Sequence, residues 1–394
     1  MARAPGVRLR GRHHARRDQF GAALAVGDLD GDGIADLIVG APFYGSPAGG
    51  AVFAYRGQHR GKLLAVGTAN TQASTGVGSN ETNDMFGAAL TFGHFAGGTT
   101  GYVAVGSPFE QLPGLSGSRG LVSILRWTGS SFTSRENLVP ASVGLTSAGG
   151  QFGAALATGD LDNDGKDDLL VGAPADVVGT GAVATFFGGA TAMVAGTTLV
   201  PSDTLAVDDR FGASVAAASI PGGAWGVIAG APGHAGPGRA YKFIGLGGRT
   251  LTQAGSLAQS QIPGETGHTG DNFGAKVAVA DFDGTGNLAF FVGAPNKPIG
   301  GVAGAGEVAV FASTSKVIAP TSPSGNDGFG TAFAIGNFDR GAHSPGGNSQ
   351  NDLAIGLPGR TLDTASAAGK LDVYQGTSLA LWRQIYESTS NGPQ

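Results

Sequence analysis

Short apolar runs separated by turn residues recur along the chain. In its first part they read "AALAVGD", "DLIVGAP", "GAVFAYRG" and "KLLAVGTA", and the last part ends on "KLDVYQGT" and "LALWRQIYE". Runs of this length, rich in Val, Ala, Leu and aromatic residues and bounded by Gly, Ser, Pro or Asp, are typical of β-strands. The first four follow one another closely enough to predict a four-stranded antiparallel meander.

Two sequence marks divide the chain into six units. Each unit opens on a Phe-Gly pair and reaches a strand ending in Gly-x-Pro about twenty residues later. The pairs begin at Phe20, Phe86, Phe152, Phe211, Phe273 and Phe329, and the Gly-x-Pro strands begin at Val39, Val105, Val171, Ala229, Val292 and Ile355. A repeat of about 60 residues with four strands is typical of a propeller blade. Because one such sheet cannot bury both faces alone, we expect the blades to stack around an axis.

The two marks have structural interpretations within such a blade. The small residues of the first strand suit a crowded axis, since Ala and Gly let neighbouring backbones approach. We expect the Phe of each Phe-Gly pair to fill the interface between adjacent blades. The Pro of Gly-x-Pro ends the second strand because proline cannot donate a hydrogen bond to a neighbouring strand.

Composition supports an all-β protein. Glycine contributes 72 of 394 residues, apolar residues 41% and charged residues 13%, a balance that is too apolar for disorder. No cysteine is present, so disulfides and thiol chemistry are excluded. No run of 18 apolar residues occurs, and we expect no membrane span in this chain.

Charge is distributed unevenly. The first 17 residues contain six Arg and no acid, so the rest of the chain carries a net charge of −11 (−5 minus 6). A body this acidic argues against nucleic-acid binding. We expect the basic arm of residues 1–17 to be disordered or to mark a fragment boundary. It fits an export-signal n-region, a nucleic-acid tail, or a mis-set start codon or fragment boundary with the export signal upstream of Met1. The last is favoured, because no apolar h-region follows the arm before Asp18.

Two acidic turns carry the clearest chemistry. "DLDGDGIAD" and "DLDNDGKDD" place carboxylates at positions 1, 3, 5 and 9, and alternate residues of an extended turn point the same way. Together with a backbone carbonyl at position 7, five or more oxygens converge, which suits Ca²⁺. The expected ligands are Asp28, Asp30, Asp32, the Ile34 carbonyl and Asp36 in the first unit, and Asp160, Asp162, Asp164, the Lys166 carbonyl and Asp168 in the third.

The fifth and sixth units retain parts of this pattern and predict weaker metal sites. The fifth offers Asp281, Asp283, Thr285 and Asn287, with Ala289 at position 9. In the sixth, Asn337 and Asp339 precede an insertion, and Asp352 takes the ninth-equivalent place. The second and fourth units lack the acids altogether.

The units resemble FG-GAP repeats, the β-propeller repeats of integrin α-subunit head domains and of many bacterial surface proteins. The resemblance covers residues 18–387 as one propeller domain, with units starting near 18, 84, 150, 209, 271 and 327, and leaves a tail at 388–394. Integrin rings have seven blades, whereas six repeats are visible here. Either the ring closes with six, which is favoured, or an N-terminal blade is missing.

Topology predicts where a binding surface lies. In a four-stranded meander the acidic turns and the turns between strands 3 and 4 share one end, which leaves longer loops on the opposite rim. Phe43, Tyr44, Phe109 and Glu110 are the candidate ligand residues there. The resemblance to integrins implies a partner or ligand on this face, and we expect a protein or a glycan.

No catalytic motif occurs, and the seven His have no recurrent acidic or Ser partner. We therefore expect a non-catalytic, calcium-binding extracellular or cell-surface propeller used in adhesion or ligand binding. Two alternatives are an accessory propeller of a larger surface protein or hydrolase, such as a phospholipase, and an enzyme with its site in the axial funnel.

Overall fold

The computed structural model describes residues 18–59, 62–220, 222–338, 351–361, 368–376 and 378–386. The basic arm, the C-terminal tail and Asp339 lie outside these residues.

Six four-stranded antiparallel sheets follow one another along the chain, each in simple meander order. Blade 1 contains β1 (Ala23–Gly27), β2 (Asp36–Ala41), β3 (Ala51–Gln58) and β4 (Lys62–Asn70). Blade 2 contains β5 (Ala89–Gly93), β6 (Tyr102–Ser107), β7 (Leu121–Trp127) and β8 (Phe132–Leu138). Blade 3 contains β9 (Ala155–Gly159), β10 (Asp168–Ala173), β11 (Ala182–Phe187) and β12 (Val194–Leu199).

The second half of the chain repeats this arrangement. Blade 4 contains β13 (Ser214–Ile220), β14 (Ala224–Ala231), β15 (Arg239–Gly245) and β16 (Leu251–Leu257). Blade 5 contains β17 (Lys276–Asp281), β18 (Leu288–Ala294), β19 (Glu307–Phe311) and β20 (Lys316–Ile318). Blade 6 contains β21 (Phe333–Gly336), β22 (Asp352–Leu357), β23 (Lys370–Gln375) and β24 (Ala380–Ile385). In the described part of the chain, helix is confined to the short turns Gln72–Thr75, Pro140–Val143, Asp176–Gly179 and Gln259–Gln261.

The six blades form a six-bladed β-propeller, as the repeat count predicts. The first strands of consecutive blades contact one another, so the small-residue strands are innermost. Five apolar clusters form the core, and each draws its residues from two consecutive blades. Burial between blades therefore holds the ring together, as expected for stacked units.

The phenylalanine of the Phe-Gly pair packs at the seams, which are the interfaces between adjacent blades. Phe86, Phe152, Phe211, Phe273 and Phe329 are fully buried, and each forms a parallel bridge with a glycine of the preceding blade. At Gly238, which pairs with Phe273, an added Cβ would lie 2.2 Å from the Phe273 carbonyl oxygen, so only glycine fits.

Phe20 is the exception among the six. Its side chain is 41% exposed and packs edge-on against Phe53 of its own blade, with ring centroids 5.3 Å apart. Leu24 on the following strand, β1, is 58% exposed, whereas the equivalent Val277 of blade 5 is buried. Among the residues that the structure describes, the face of blade 1 that would meet blade 6 thus lacks the apolar contacts of the other interfaces between blades.

Candidate metal centres

The first acidic hairpin is held in shape by its own carboxylates. Asp28 accepts backbone N–H groups of Gly31 and Gly33, each at 2.8 Å. Asp32 accepts the Ile34 N–H at 2.8 Å. Carboxylate oxygens of Asp28, Asp30 and Asp32 lie within 4.8 Å of one another, so the three predicted ligands converge.

The hairpin of blade 3 has similar carboxylate-to-backbone hydrogen bonds, but the predicted ligands that converge there hold positions 1, 3 and 9, whereas those of blade 1 hold positions 1, 3 and 5. Asp160 accepts the N–H groups of Asp164 and Gly165 at 2.9 and 3.0 Å. Asp164 accepts the Lys166 N–H at 2.9 Å. Carboxylate oxygens of Asp160, Asp162 and Asp168 lie within 4.8 Å of one another.

The ninth-position acids have an additional role that sequence reasoning missed. The carboxylate of the buried Asp36 accepts the N–H groups of Leu29 and Gly57, each at 2.8 Å. Asp168 does the same in blade 3, where its two oxygens accept from Leu161 and Gly188 at 2.7 Å. Each acid therefore ties the hairpin between strands 1 and 2 to the one between strands 3 and 4. Burial raises the pKa of Asp168 to about 7.

Basic side chains, which the sequence did not predict here, offset part of the hairpin charge. Arg56 Nε lies 2.5 Å from Asp30 Oδ2, and its Nη2 lies 3.3 Å from Asp32 Oδ2. In blade 3, Arg249 Nε of the neighbouring blade lies 3.2 Å from Asp162 Oδ2. These ion pairs involve three of the carboxylates predicted to bind a divalent ion.

Replacing Arg56 by alanine should tighten calcium binding at the first hairpin. A calcium ion bound at this hairpin would compete with the Arg56 side chain for Asp30 and Asp32, and an exposed ion pair of this kind contributes about 0.5–1 kcal/mol, or roughly a two- to fivefold change in affinity. Arg126 holds the equivalent position in blade 2, whose hairpin lacks carboxylates, so Arg126→Ala is the matched control. Calorimetric calcium titration measures both, and unchanged affinity in Arg56→Ala would contradict the competition.

The weaker predicted sites are less complete. In blade 5, Asp281 accepts the Gly286 N–H at 2.9 Å, and a hydrogen bond from Thr285 Oγ1 lowers the pKa of Asp283. Asn287 donates its side-chain amide to Thr285 Oγ1 at 3.1 Å, while Ala289 supplies no ninth carboxylate.

In blade 6 the ninth-equivalent acid keeps its bridging role. Asp352 accepts N–H groups from Phe338 at 2.8 Å and Gly376 at 3.0 Å, just as the acids of blades 1 and 3 do. Asn337 lies directly after β21. Its predicted companion, Asp339, lies outside the described residues.

The four predicted ligand residues on the opposite rim differ in their exposure to solvent. Phe109 is 38% exposed, while Phe43 and Tyr44 are half-buried. Tyr44 packs edge-on against Phe53 at 5.3 Å. Glu110 is buried beneath the rim and accepts a hydrogen bond from Gln72 at 2.6 Å. Phe109 is therefore the most exposed of the four.

A family model for the FG-GAP repeat matches residues 20–55 and 152–186. This chain carries FG-GAP repeats. The two matches coincide with the Phe-Gly marks and the complete acidic hairpins of blades 1 and 3. The other four FG-GAP-like units share the same blade topology but carry incomplete or missing acids.

Curated relatives of this FG-GAP propeller include two kinds of much longer protein. Phosphatidylinositol-glycan-specific phospholipase D of Bos taurus is 34% identical over 123 residues, which span 30% of this chain and 14% of that protein. Integrin alpha-7 of Rattus norvegicus is 33% identical over 166 residues, which span 40% of this chain and 13% of that protein. The similarity therefore covers a minor part of each relative.

Among solved structures, a candidate 6-phosphogluconolactonase from Bacteroides uniformis superposes with a TM-score of 0.51 at 10% identity, covering 93% of this chain and 85% of that one. At this identity the likeness concerns the fold alone. In the described part of the FG-GAP chain, no helix combines the length and hydropathy needed to cross a bilayer.

Proposed function

We propose that this chain is a non-catalytic, calcium-binding extracellular propeller that presents a rim of loops for adhesion or ligand binding. The observation that carries the proposal is the convergence of three carboxylates in each of two hairpins on one rim. The similarity to integrin alpha chains supports it.

Calcium is the proposed ion because the donors are all oxygen and the loops are flexible glycine-containing turns. Zinc would call for His or Cys, which neither hairpin contains. The residues that would hold calcium are Asp28, Asp30, Asp32, the Ile34 carbonyl and Asp36 in blade 1, and Asp160, Asp162, Asp164, the Lys166 carbonyl and Asp168 in blade 3. The bound ion would neutralise the carboxylates and fix each turn.

An extracellular or cell-surface setting follows from this chemistry. Extracellular calcium modules bind the ion at about 0.1–1 mM, so such sites fill outside cells and stay empty in cytosol. The relatives named as integrins support the same location.

The proposed partner is a protein or a glycan that docks on the rim opposite the hairpins. An exposed aromatic ring on a rigid scaffold supplies large contact area at little entropic cost, and Phe109 fits this description. No role in nucleic-acid binding is proposed for this acidic body.

Binding on this rim is tested with glycan and extracellular-matrix protein arrays probed with the purified chain in millimolar calcium. Once a ligand is found, Phe109→Ala should weaken its binding by about tenfold or more, the usual loss when an aromatic anchor is truncated. Phe338 is similarly exposed on the hairpin rim, so Phe338→Ala is the matched control and should leave binding unchanged. Equal effects of the two substitutions would reject the rim assignment.

A second candidate function is an accessory propeller of a larger hydrolase. The match to phosphatidylinositol-glycan-specific phospholipase D favours it, because the matched segment is a small part of that protein. Coding sequence on either side of this chain distinguishes the two proposals: a hydrolase domain fused to the propeller supports the second. Hydrolase activity in the isolated propeller would instead support a site in its axial funnel.

A further inference from the structure

A cavity of about 600 Å³ lies between blades 5 and 6, on the rim that carries the acidic hairpins. Its described lining comes from the two hairpins of blade 5 at this rim, from β18, β19 and β20, and from Leu379 in the turn between strands 3 and 4 of blade 6. The volume falls within the range of about 300–1,000 Å³ that is usual for pockets that hold drug-sized molecules.

The equivalent place in blade 1 is nearly filled. The cavity there measures about 110 Å³, and its lining includes Asp36, Arg56 and Leu64 together with Trp127 of blade 2. Side chains and the outer strand therefore occupy in blade 1 most of the space that stays open in blade 5.

The strand register identifies what blade 5 lacks. The pairing of strands 2 and 3 aligns Asp36 with Ala289 and Arg56 with Ala312. In addition, the outer strand β20 has three residues, whereas the outer strands of the other blades have six to nine. Two small side chains and a short outer strand thus open the cavity.

Blade 3 fills the same place with an aromatic ring. Phe187 holds the position of Ala312, is 1% exposed and belongs to the apolar cluster that contains Leu161. Leu161 is the second residue of its acidic hairpin, as Phe282 is in blade 5. Ala312 is exposed, so the place that Phe187 fills in blade 3 is open to solvent in blade 5.

The lining combines apolar side chains with two opposite charges. Phe282, Leu288 and Val310 are apolar, while Asp283 and Lys316 supply a carboxylate and an ammonium group. Charge complementarity therefore favours a ligand that is a zwitterion with an apolar body.

Both charged groups are held beside the cavity by their own contacts. Thr285 Oγ1 donates to Asp283 Oδ1 at 2.6 Å and lowers the pKa of Asp283, so this carboxylate is ionised at neutral pH. Lys316 Nζ donates to the Ser378 carbonyl at 3.3 Å. Burial lowers the pKa of Lys316, and a carboxylate partner would offset this effect because it favours the charged ammonium.

We propose that this cavity binds a short apolar peptide of about three residues with both termini free. The peptide carboxylate would pair with Lys316, its ammonium group would pair with Asp283, and its side chains would pack on the apolar part of the lining. The site lies on the rim opposite the proposed partner surface. It depends neither on that surface nor on calcium binding by the hairpins.

Calorimetric titration of the full chain with trileucine tests the site, with trileucine amide and N-acetyl-trileucine as matched probes. We expect trileucine to bind, and the loss of either terminal charge should weaken binding by about tenfold or more, the usual effect of removing a hydrogen bond between charged groups. Lys316→Met should weaken trileucine binding by a similar factor and leave binding of the amide unchanged. Absence of trileucine binding, or equal binding of trileucine and its amide, would overturn the proposal.

Ala312→Phe tests the cavity itself, because it copies the ring of blade 3 at an exposed position. This variant should bind trileucine at least tenfold more weakly. Arg126→Phe places the same side chain at the equivalent position of blade 2 and should leave binding unchanged. Unchanged binding in Ala312→Phe, or equal losses in both variants, would contradict the assignment. If Ala312→Phe does not fold, the comparison of trileucine with its amide decides.

All titrations are made in EGTA and repeated in millimolar calcium. We expect the same affinity in both conditions, because Lys316 and not a metal ion receives the peptide carboxylate. Binding that occurs only in calcium would place the carboxylate on an ion held by the hairpin and would refute the role of Lys316.

Discussion

Replacing Phe273 by alanine should destabilise the protein by about 3–5 kcal/mol, the usual loss for a fully buried phenylalanine. The Phe273 ring is fully buried between blades 4 and 5, and it packs edge-on against Phe311 with centroids 6.2 Å apart. Because its backbone also bridges to Gly238, the surrounding structure has little freedom to close the cavity. Chemical denaturation in saturating calcium measures the loss.

Phe20 provides a matched control within the same motif. It precedes the same kind of left-handed glycine, with φ of 92° at Gly21 and 97° at Gly274, but its ring is 41% exposed. Phe20→Ala should therefore cost about 1–2 kcal/mol, which is the value of partial burial without a closed cavity. Equal losses in the two variants would mean that the seam beside blade 1 is packed like the others.

The repeated marks explain how much of the fold could be predicted from the sequence. Phe-Gly and Gly-x-Pro occur in every unit, and each has a local physical consequence. The Phe ring packs between adjacent blades in five of the six units, and the Pro ends the second strand. The order of the strands in each sheet was also predictable, because consecutive strands joined by short turns pair with each other. Spacing within nine residues also predicted that three carboxylates converge in each hairpin, but it did not predict that Asp36 and Asp164 stay outside these groups.

What the sequence did not predict depends on contacts between distant residues. Arg249 reaches Asp162 across 87 positions because blade 4 packs beside blade 3. Glu110 was expected on the rim surface, but its side chain turns inward to Gln72, which lies in the preceding link. Phe20 is exposed although it belongs to the same motif as the five buried phenylalanines, so the motif alone does not determine whether its ring is buried.

Glu110 and Asp176, each the second residue after the Pro of Gly-x-Pro, show the same limit of prediction from sequence. Asp176 and Glu110 occupy equivalent sites and look alike in sequence, yet one replaces a missing aspartate and the other faces an existing one. The difference becomes visible only when Gly150 and Asp84 are recognised as equivalent residues of their blades.

The double variant Asp30→Ala, Asp162→Ala should lose most of the effect of calcium on stability. These residues hold position 3 of the two complete hairpins, and each lies among converging carboxylates. At calcium about ten times above the dissociation constant, each site adds roughly 1.4 kcal/mol of stability, so the pair contributes about 3 kcal/mol. Thermal melting in millimolar calcium and in EGTA measures this difference.

In EGTA most of the difference between the two proteins should disappear, which separates ion binding from a general loss of structure. Without calcium, removing Asp30 and Asp162 relieves repulsion among neighbouring carboxylates but also removes the ion pairs with Arg56 and Arg249, so the two effects offset each other and the variant should melt close to the unmodified chain. Asp283 holds position 3 in blade 5, and Asp283→Ala should leave most of the EGTA response intact because that hairpin lacks the ninth carboxylate. A double variant that responds to EGTA as strongly as the unmodified chain would show that the hairpins do not stabilise the propeller through calcium.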